Sequence, residues 1–257
     1  MMITMASAND GRPRTRPVLV VAGVSARVMA QSAGESGWDV IALDLFGDRD
    51  TRRASREWTS VGEPHSYTID GMRLHSALAE AARLPGIVGW VAGSGFEGAA
   101  HLLEQPAELP LIGMPGADVA TLRDARRFFD TLDRLGVAHP EVAFERPVDT
   151  FGWLAKRSGG SGGWHIAAAD EGRQVHADTY WQRIQPGETM SALVLADGVR
   201  AQVVALNRLL VQPHPEHPYV YTGAIGPVSD DALESRVEAA LEALVPAFSL
   251  RGLMSLD

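Results

Sequence analysis

Lys156 is the only lysine among the 23 lysine and arginine residues of this chain. It closes the apolar-rich run Phe151-Gly-Trp-Leu-Ala-Lys156 and opens onto Ser158-Gly159-Gly160-Ser161-Gly162-Gly163. An ammonium is a compact point charge that sits well among phosphate oxygens, and the bare amides of a glycine-rich turn also bind anions. Together they suggest a site for nucleotide phosphates. A solitary surface lysine left by an arginine-rich composition accounts for the same residues, so at this level both readings stand.

Other groupings carry less. Gly93-Ser-Gly95-Phe-Glu-Gly98 matches the G-x-G-x-x-G pattern of dinucleotide-binding turns. It follows the third expected strand rather than the first, and no acidic residue ends a strand about 20 residues later. We therefore expect a tight βα turn facing a cleft, not a nicotinamide site. Gly23-Val-Ser-Ala-Arg27 is a second helix start able to hold a substrate carboxylate. In His214-Pro-Glu-His217-Pro the prolines exclude the helical face that spaced histidine ligands use, so the segment reads as a polar loop.

Positioning these residues requires a sizeable fold. With 257 residues and 46% hydrophobic content, one large or two smaller cores form without staples. The net charge of −9 excludes the basic footprint of a nucleic-acid binder. Zero cysteine excludes disulfides, thiolate nucleophiles and zinc–thiolate sites, and agrees with a cytoplasmic protein. No stretch is long and apolar enough to span a membrane, and residues 1–16, with interleaved arginine and proline, read as a disordered leader without a signal-peptide core.

The apolar runs 18–22, 40–43, 87–92 and 109–112 read as strands, with helical segments between the first two and over 72–83 and 97–104. That alternation predicts a parallel sheet covered on both faces, a domain over 17–113. A helix from the N-cap Asp118 to the C-cap Gly136 follows. Beyond it the chain becomes mainly antiparallel: 151–156, 164–169, 179–184, 190–195, 199–211, 219–225 and 250–257 are extended, with one amphipathic helix over 230–244. Residues 114–257 make the second domain.

The order of parts in that second half resembles the ATP-grasp superfamily. The parts are Asp124-Ala125-Arg126-Arg127-Phe128, Gly136-Val-Ala-His-Pro140, Lys156 with its glycine loop, Tyr180-Trp-Gln-Arg-Ile-Gln-Pro-Gly-Glu188, Asn207-Arg208 and Leu253-Met-Ser-Leu-Asp257. The resemblance implies an α/β fold in which a parallel N-terminal domain precedes an α+β ATP-grasp domain. It implies ATP between two sheets, with Lys156 on the phosphates and Gly159, Gly160, Gly162 and Gly163 in a closing lid. Gln182, Arg183 and Ile184 would meet adenine, and Glu188 the ribose. Asn207 and Arg208 would stand at the transferring phosphoryl group or substrate carboxylate, and Asp257 would be the first magnesium ligand.

Two departures accompany the match. Ala125 stands where the family has lysine, leaving Arg126 or Arg127 as substitutes, and the Glu-x-Asn that completes the magnesium site is absent, so the domain is expected to lack its last strands. The segments around Asn207-Arg208 and Tyr219 to Pro227 resemble the tyramine–glutamate ligases of methanofuran biosynthesis. The implied activity is ATP-dependent joining of a small, amino-acid-like carboxylic acid to an amine through an acyl phosphate, using ATP and Mg2+, with a homodimer allowed. A non-catalytic ATP-binding module and, behind it, a dinucleotide-dependent oxidoreductase are the rivals.

Overall fold

The computed structural model describes residues 16–104, 109–169, 175–215 and 217–257. Residues 1–15 of the expected leader and Glu216 of the His-Pro-Glu-His loop lie outside them. The described residues divide into two compact units, the first within Met1–Gly93 and Pro106–Pro110, the second within Ser94–Gln105 and Leu111–Asp257.

In the first unit the expected strands form as β1 (Val18–Ala22) and β2 (Asp39–Asp44), joined by α1 (Arg27–Glu35). The next elements are α2 (Arg49–Ala54), β3 (Glu57–Ser60), the small hairpin β4 (Gly62–Glu63) and β5 (Thr68–Ile69), α3 (Gly71–Ala81) and β6 (Ile87–Ala92). The sheet order is β3-β2-β1-β6, all parallel. Strand β3 and its helix were not expected, because four partly exposed residues at a sheet edge carry no apolar run. Their start is nonetheless marked: the Asp48 side chain accepts from the Asp50 and Thr51 amides and caps α2.

Asp44 ends β2 fully buried, and its carboxylate accepts four hydrogen bonds, from the amides of Ala26 (3.0 Å), Phe46 (3.1 Å) and Gly47 (2.8 Å) and from Trp58 Nε1–H (2.7 Å). It thereby occupies the amide just ahead of α1 that seemed free for a substrate carboxylate. Segment 109–112 is not a strand. Trp90 N–H donates to Pro110 O at 2.9 Å, but proline has no N–H to return, so the contact does not grow into a ladder.

The second unit contains a 3-10 turn (Ala100–Leu103), α4 (Gly116–Arg123), α5 (Ala125–Leu135), β7 (Val142–Ala143), β8 (Trp153–Arg157), β9 (Ala167–Ala168), β10 (Thr179–Arg183), β11 (Met190–Asp197), β12 (Ala201–His214), β13 (His217–Val228), α6 (Asp231–Phe248) and β14 (Arg251–Leu256). Two antiparallel sheets result, β7-β10-β8-β9 and β13-β12-β11-β14. Helices α5 and α6 cover one face of the latter through Phe129, Leu132, Leu241, Leu244, Val245 and Phe248, packed on Ala192, Val194 and Leu206.

The single helix expected from Asp118 to Gly136 is two helices. Asp124 turns to extended backbone, ψ 103°, and its carboxylate accepts from Arg127 N–H at 3.0 Å, so the residue that ends α4 caps α5. Gly136 closes α5 in the left-handed conformation, φ 68°, as expected of a C-cap. The helix expected over 97–104 shrinks to the four-residue 3-10 turn, and 164–169 is extended only at β9.

Candidate anion-binding cleft

Strand β8 alternates. Trp153 and Ala155 pack with Ala169 and Trp181 on one face of the small sheet, which sends Leu154 and Lys156 to the other. Pairing sets Tyr180 opposite Lys156 and Gln182 opposite Leu154, so Lys156, Tyr180 and Gln182 share that inner face. Tyr180 packs against Phe129 of α5, ring centroids 5.7 Å apart. Lys156 Nζ donates to Gln182 Oε1 at 3.0 Å. Burial lowers the pKa of the ammonium, and the nearby Asp257 carboxylate partly offsets this. The lone amine therefore points inward, toward the second sheet's side of the unit.

The glycine-rich loop is fastened at several points. Ser158 N–H donates to Asp178 O at 3.1 Å, Arg157 Nε donates to the Asp178 carboxylate at 3.1 and 3.2 Å, and the Arg123 guanidinium donates to Gly160 O. Farther along, Tyr221 N–H of β13 donates to Gly162 O at 2.9 Å. Gly163, with φ 80°, lies so close to the Tyr219 carbonyl that a Cβ there would overlap it. Under the loop lies a cleft of about 520 Å³, lined among others by Lys156, Arg157, Trp164, His165, His176 and Thr179. Among the described residues no carboxylate lines it.

The remaining predicted residues scatter around this point. The amides of Arg183 and Ile184 are taken by the carbonyls of Glu141 (2.8 Å) and Gly152 (2.9 Å), and the Arg183 guanidinium donates to Phe151 O and stacks 5.0 Å from the Trp153 ring. Glu188 and Arg208 form an exposed ion pair at 3.6 Å. Arg208 lies on β12, which pairs on both sides, rather than on an edge. Asn207 lies opposite Ser191, with Gly226 so near its amide that a Cβ at that position would overlap Oδ1. Asp257 is exposed, accepts from Ser255 Oγ at 2.9 Å and acts electrostatically on Lys156.

An ATP-grasp domain family matches residues 122–257, more than half of the chain. The chain belongs to the ATP-grasp family. Its fold is similar to the biotin carboxylase domain of Hydrogenobacter thermophilus 2-oxoglutarate carboxylase, solved with MgADP and bicarbonate, with TM-score 0.71 at 14% identity over 93% of this chain and 59% of that one. Biotin carboxylase from Campylobacter jejuni follows with 0.68 and 15% over 93% and 60%, and N5-carboxyaminoimidazole ribonucleotide synthetase from Thermotoga maritima with 0.62 and 12% over 94% and 64%. The chain thus spans about three fifths of these structures' lengths. No curated protein matches it.

Within this ATP-grasp chain two substitutions of parts are visible. The cation that touches the glycine loop is Arg123, the last residue of α4, which sequence reading overlooked in favour of its neighbours. Arg126 instead stacks 4.2 Å over the Phe144 ring, and Arg127 lends its amide to the Asp124 cap. The break at Asp124 is what frees Arg123 for this task. The second concerns metal. Among the described residues no three His, Asp or Glu gather into a group that could hold a metal ion.

The Gly93–Gly98 loop also has another use than the dinucleotide pattern suggests. Gly95 N–H donates to Glu97 Oε2 at 2.7 Å, and Gly98 meets Gly159 so closely that a Cβ at 98 would come within 2.7 Å of the Gly159 carbonyl. No α-helix follows to present its N-terminus to a pyrophosphate. His214 and His217 cluster with the exposed Trp164, and His217 Nδ1 is 3.0 Å from Trp164 O.

Proposed function

We propose that this ATP-grasp chain carries the nucleotide-binding part of an ATP-dependent carboxylate–amine ligase. The observation that supports the reading best is Lys156, a depressed-pKa ammonium on the inner face of a sheet, lining a cleft with residues of the glycine loop 158–163. In the proposed reaction a substrate carboxylate oxygen attacks the γ-phosphorus of ATP and ADP departs. The amine nitrogen then attacks the acyl carbon, and phosphate leaves with the former carboxylate oxygen.

Lys156 and Arg123 would neutralise phosphate charge as it shifts, and the loop would exclude water from the acyl phosphate. Asn207 and Arg208 are proposed at the acceptor end, Gln182 through Ile184 at the adenine, and Glu188 at the ribose. The substrates are proposed to be a small amino-acid-like acid and an amine. The described residues do not supply a magnesium site, so no step here runs through the metal.

Calorimetric ATP binding to wild type, Lys156→Ala and Arg157→Ala tests the reading. Loss of a charge-assisted contact costs about 1.5–3 kcal/mol, so Lys156→Ala is expected to weaken ATP at least tenfold. Arg157, engaged by Asp178, should change affinity by less than about twofold, in keeping with exposed ion pairs. Equal losses count against the phosphate role. Phosphate release with panels of carboxylates and amines then separates a ligase from the second reading, a non-catalytic ATP-binding module, which Ala125 in place of the family's lysine favours. Stabilisation by NAD and not by ATP would overturn both.

A further inference from the structure

His165 follows the glycine loop and lines the same cleft as Lys156, Arg157 and His176. Its ring lies against Gly160, where an added Cβ would overlap it, and the backbone of Ser161 hydrogen-bonds it. Its other nitrogen, Nδ1, is buried without a hydrogen-bond partner. Arg123, whose guanidinium donates to Gly160 O, likewise has a buried, partnerless Nε–H. Two unsatisfied polar atoms thus flank one loop peptide, one an acceptor in neutral imidazole and the other an obligate donor. Phosphate oxygens, which only accept, satisfy both atoms when Nδ1 carries a proton, whereas a hydroxyl would donate to neutral Nδ1 and accept from Nε–H. Buried polar groups left unpartnered are costly, which makes such a pair a mark of ligand binding.

Among the described residues the charges acting on His165 are positive: Lys156 and Arg157 from β8 and Arg123 from α4. His176, from the segment before β10, also lines the cleft, and Asp178 in that segment is paired with Arg157. Burial and these cations hold the imidazole neutral by lowering its pKa. An anion entering among them reverses the sign of the field. We propose that His165 binds the polyphosphate of a nucleotide by taking up a proton at Nδ1, so that anion binding in this cleft is coupled to pH. The inference rests on the reading of the cleft as a phosphate site and adds to it a residue and a linkage.

The sign follows from the direction of the change. A group whose pKa is low in the free protein and higher in the complex binds a proton on association, so affinity rises as pH falls through that interval, by up to about tenfold per pH unit. Titration calorimetry with sodium tripolyphosphate, in buffers of different ionisation enthalpy between pH 5.5 and 8, reads the uptake directly. Wild type is expected to take up close to one proton more than His165→Gln over part of that range. The comparison cancels the ligand's own ionisation. His75→Gln, on α3 of the first unit, should match wild type.

Binding by both proteins with equal proton uptake overturns the role of His165 and leaves the phosphate site standing. Failure of wild type to bind tripolyphosphate overturns the phosphate reading itself. Should His165→Gln not fold, the imidazole resonances of the wild-type protein followed by NMR against pH, with and without tripolyphosphate, decide the matter. An upward displacement of the His165 titration supports the proposal, and an unmoved one overturns it.

Discussion

Lys156 and Asp44 show how differently two interior charges are treated. Asp44 accepts four hydrogen bonds and ties two loops of the first unit to β3, so removing it strands their donors. Asp44→Ala is expected to destabilise the protein by about 3 kcal/mol, read by urea unfolding; a loss below about 0.5 kcal/mol would mean those donors find other partners. Lys156 has one hydrogen bond and a depressed pKa, so its charge opposes folding in order to be present in the cleft. Lys156→Met should therefore leave the melting temperature unchanged or raised while ATP affinity falls. A lowered melting temperature, with ATP affinity kept, would recast the lysine as structural. Each residue type was visible in the sequence, but the partners were not, since Gln182 reaches Lys156 through the pairing of β8 with β10 and Asp257 acts on it from the end of β14 in the other sheet.

Among the elements, the glycine loop depends most on shape. Its hold on β13 runs through Gly162 O and the close approach of Gly163 to Tyr219. Gly163→Ala adds a methyl group where no space exists and in a left-handed backbone, so it should detach the loop from β13 while leaving both sheets intact. Limited proteolysis would show new cleavage within 158–165 under conditions in which wild type resists; an unchanged pattern would refute the fastening. The sequence marked this loop by its glycines and marked helix ends by Asp48, Asp230 and Gly136. It did not show that Asp124 interrupts a periodic stretch, because the same aspartate fits an exposed helix position equally well until α5 packs its phenylalanines under α6.

Across the molecule, three carboxylates titrate below the ordinary aspartate range, Asp48 in the first unit and Asp178 and Asp197 in the second. Asp48 is lowered first by the Thr51 amide it caps; for Asp178 burial works upward, but the Arg157 guanidinium outweighs it. Their folded pKa values lie below the unfolded ones, so the stability they supply is complete above about pH 4 and is lost as pH falls through the folded values. Circular dichroism from pH 7 downward should show an unchanged far-ultraviolet signal to about pH 4 and loss beneath it; melting at pH 5 or above would contradict this. High salt should narrow the difference, as both pairs are partly exposed.

Local rules were sufficient for much of the protein. Apolar runs of strand length, capping aspartates and a lysine set against glycines are properties of short stretches, and from them the parallel first sheet, the antiparallel second half and the phosphate-binding expectation could be read. What required the tertiary structure was every relation between distant residues. Arg123 reaches Gly160, Gly98 meets Gly159, Gly226 closes on Asn207, and His165 lies among three cations. Such contacts depend on which strands pair and in which register, and shifting a strand by one residue turns its side chains to the opposite face, so no spacing within one segment encodes them.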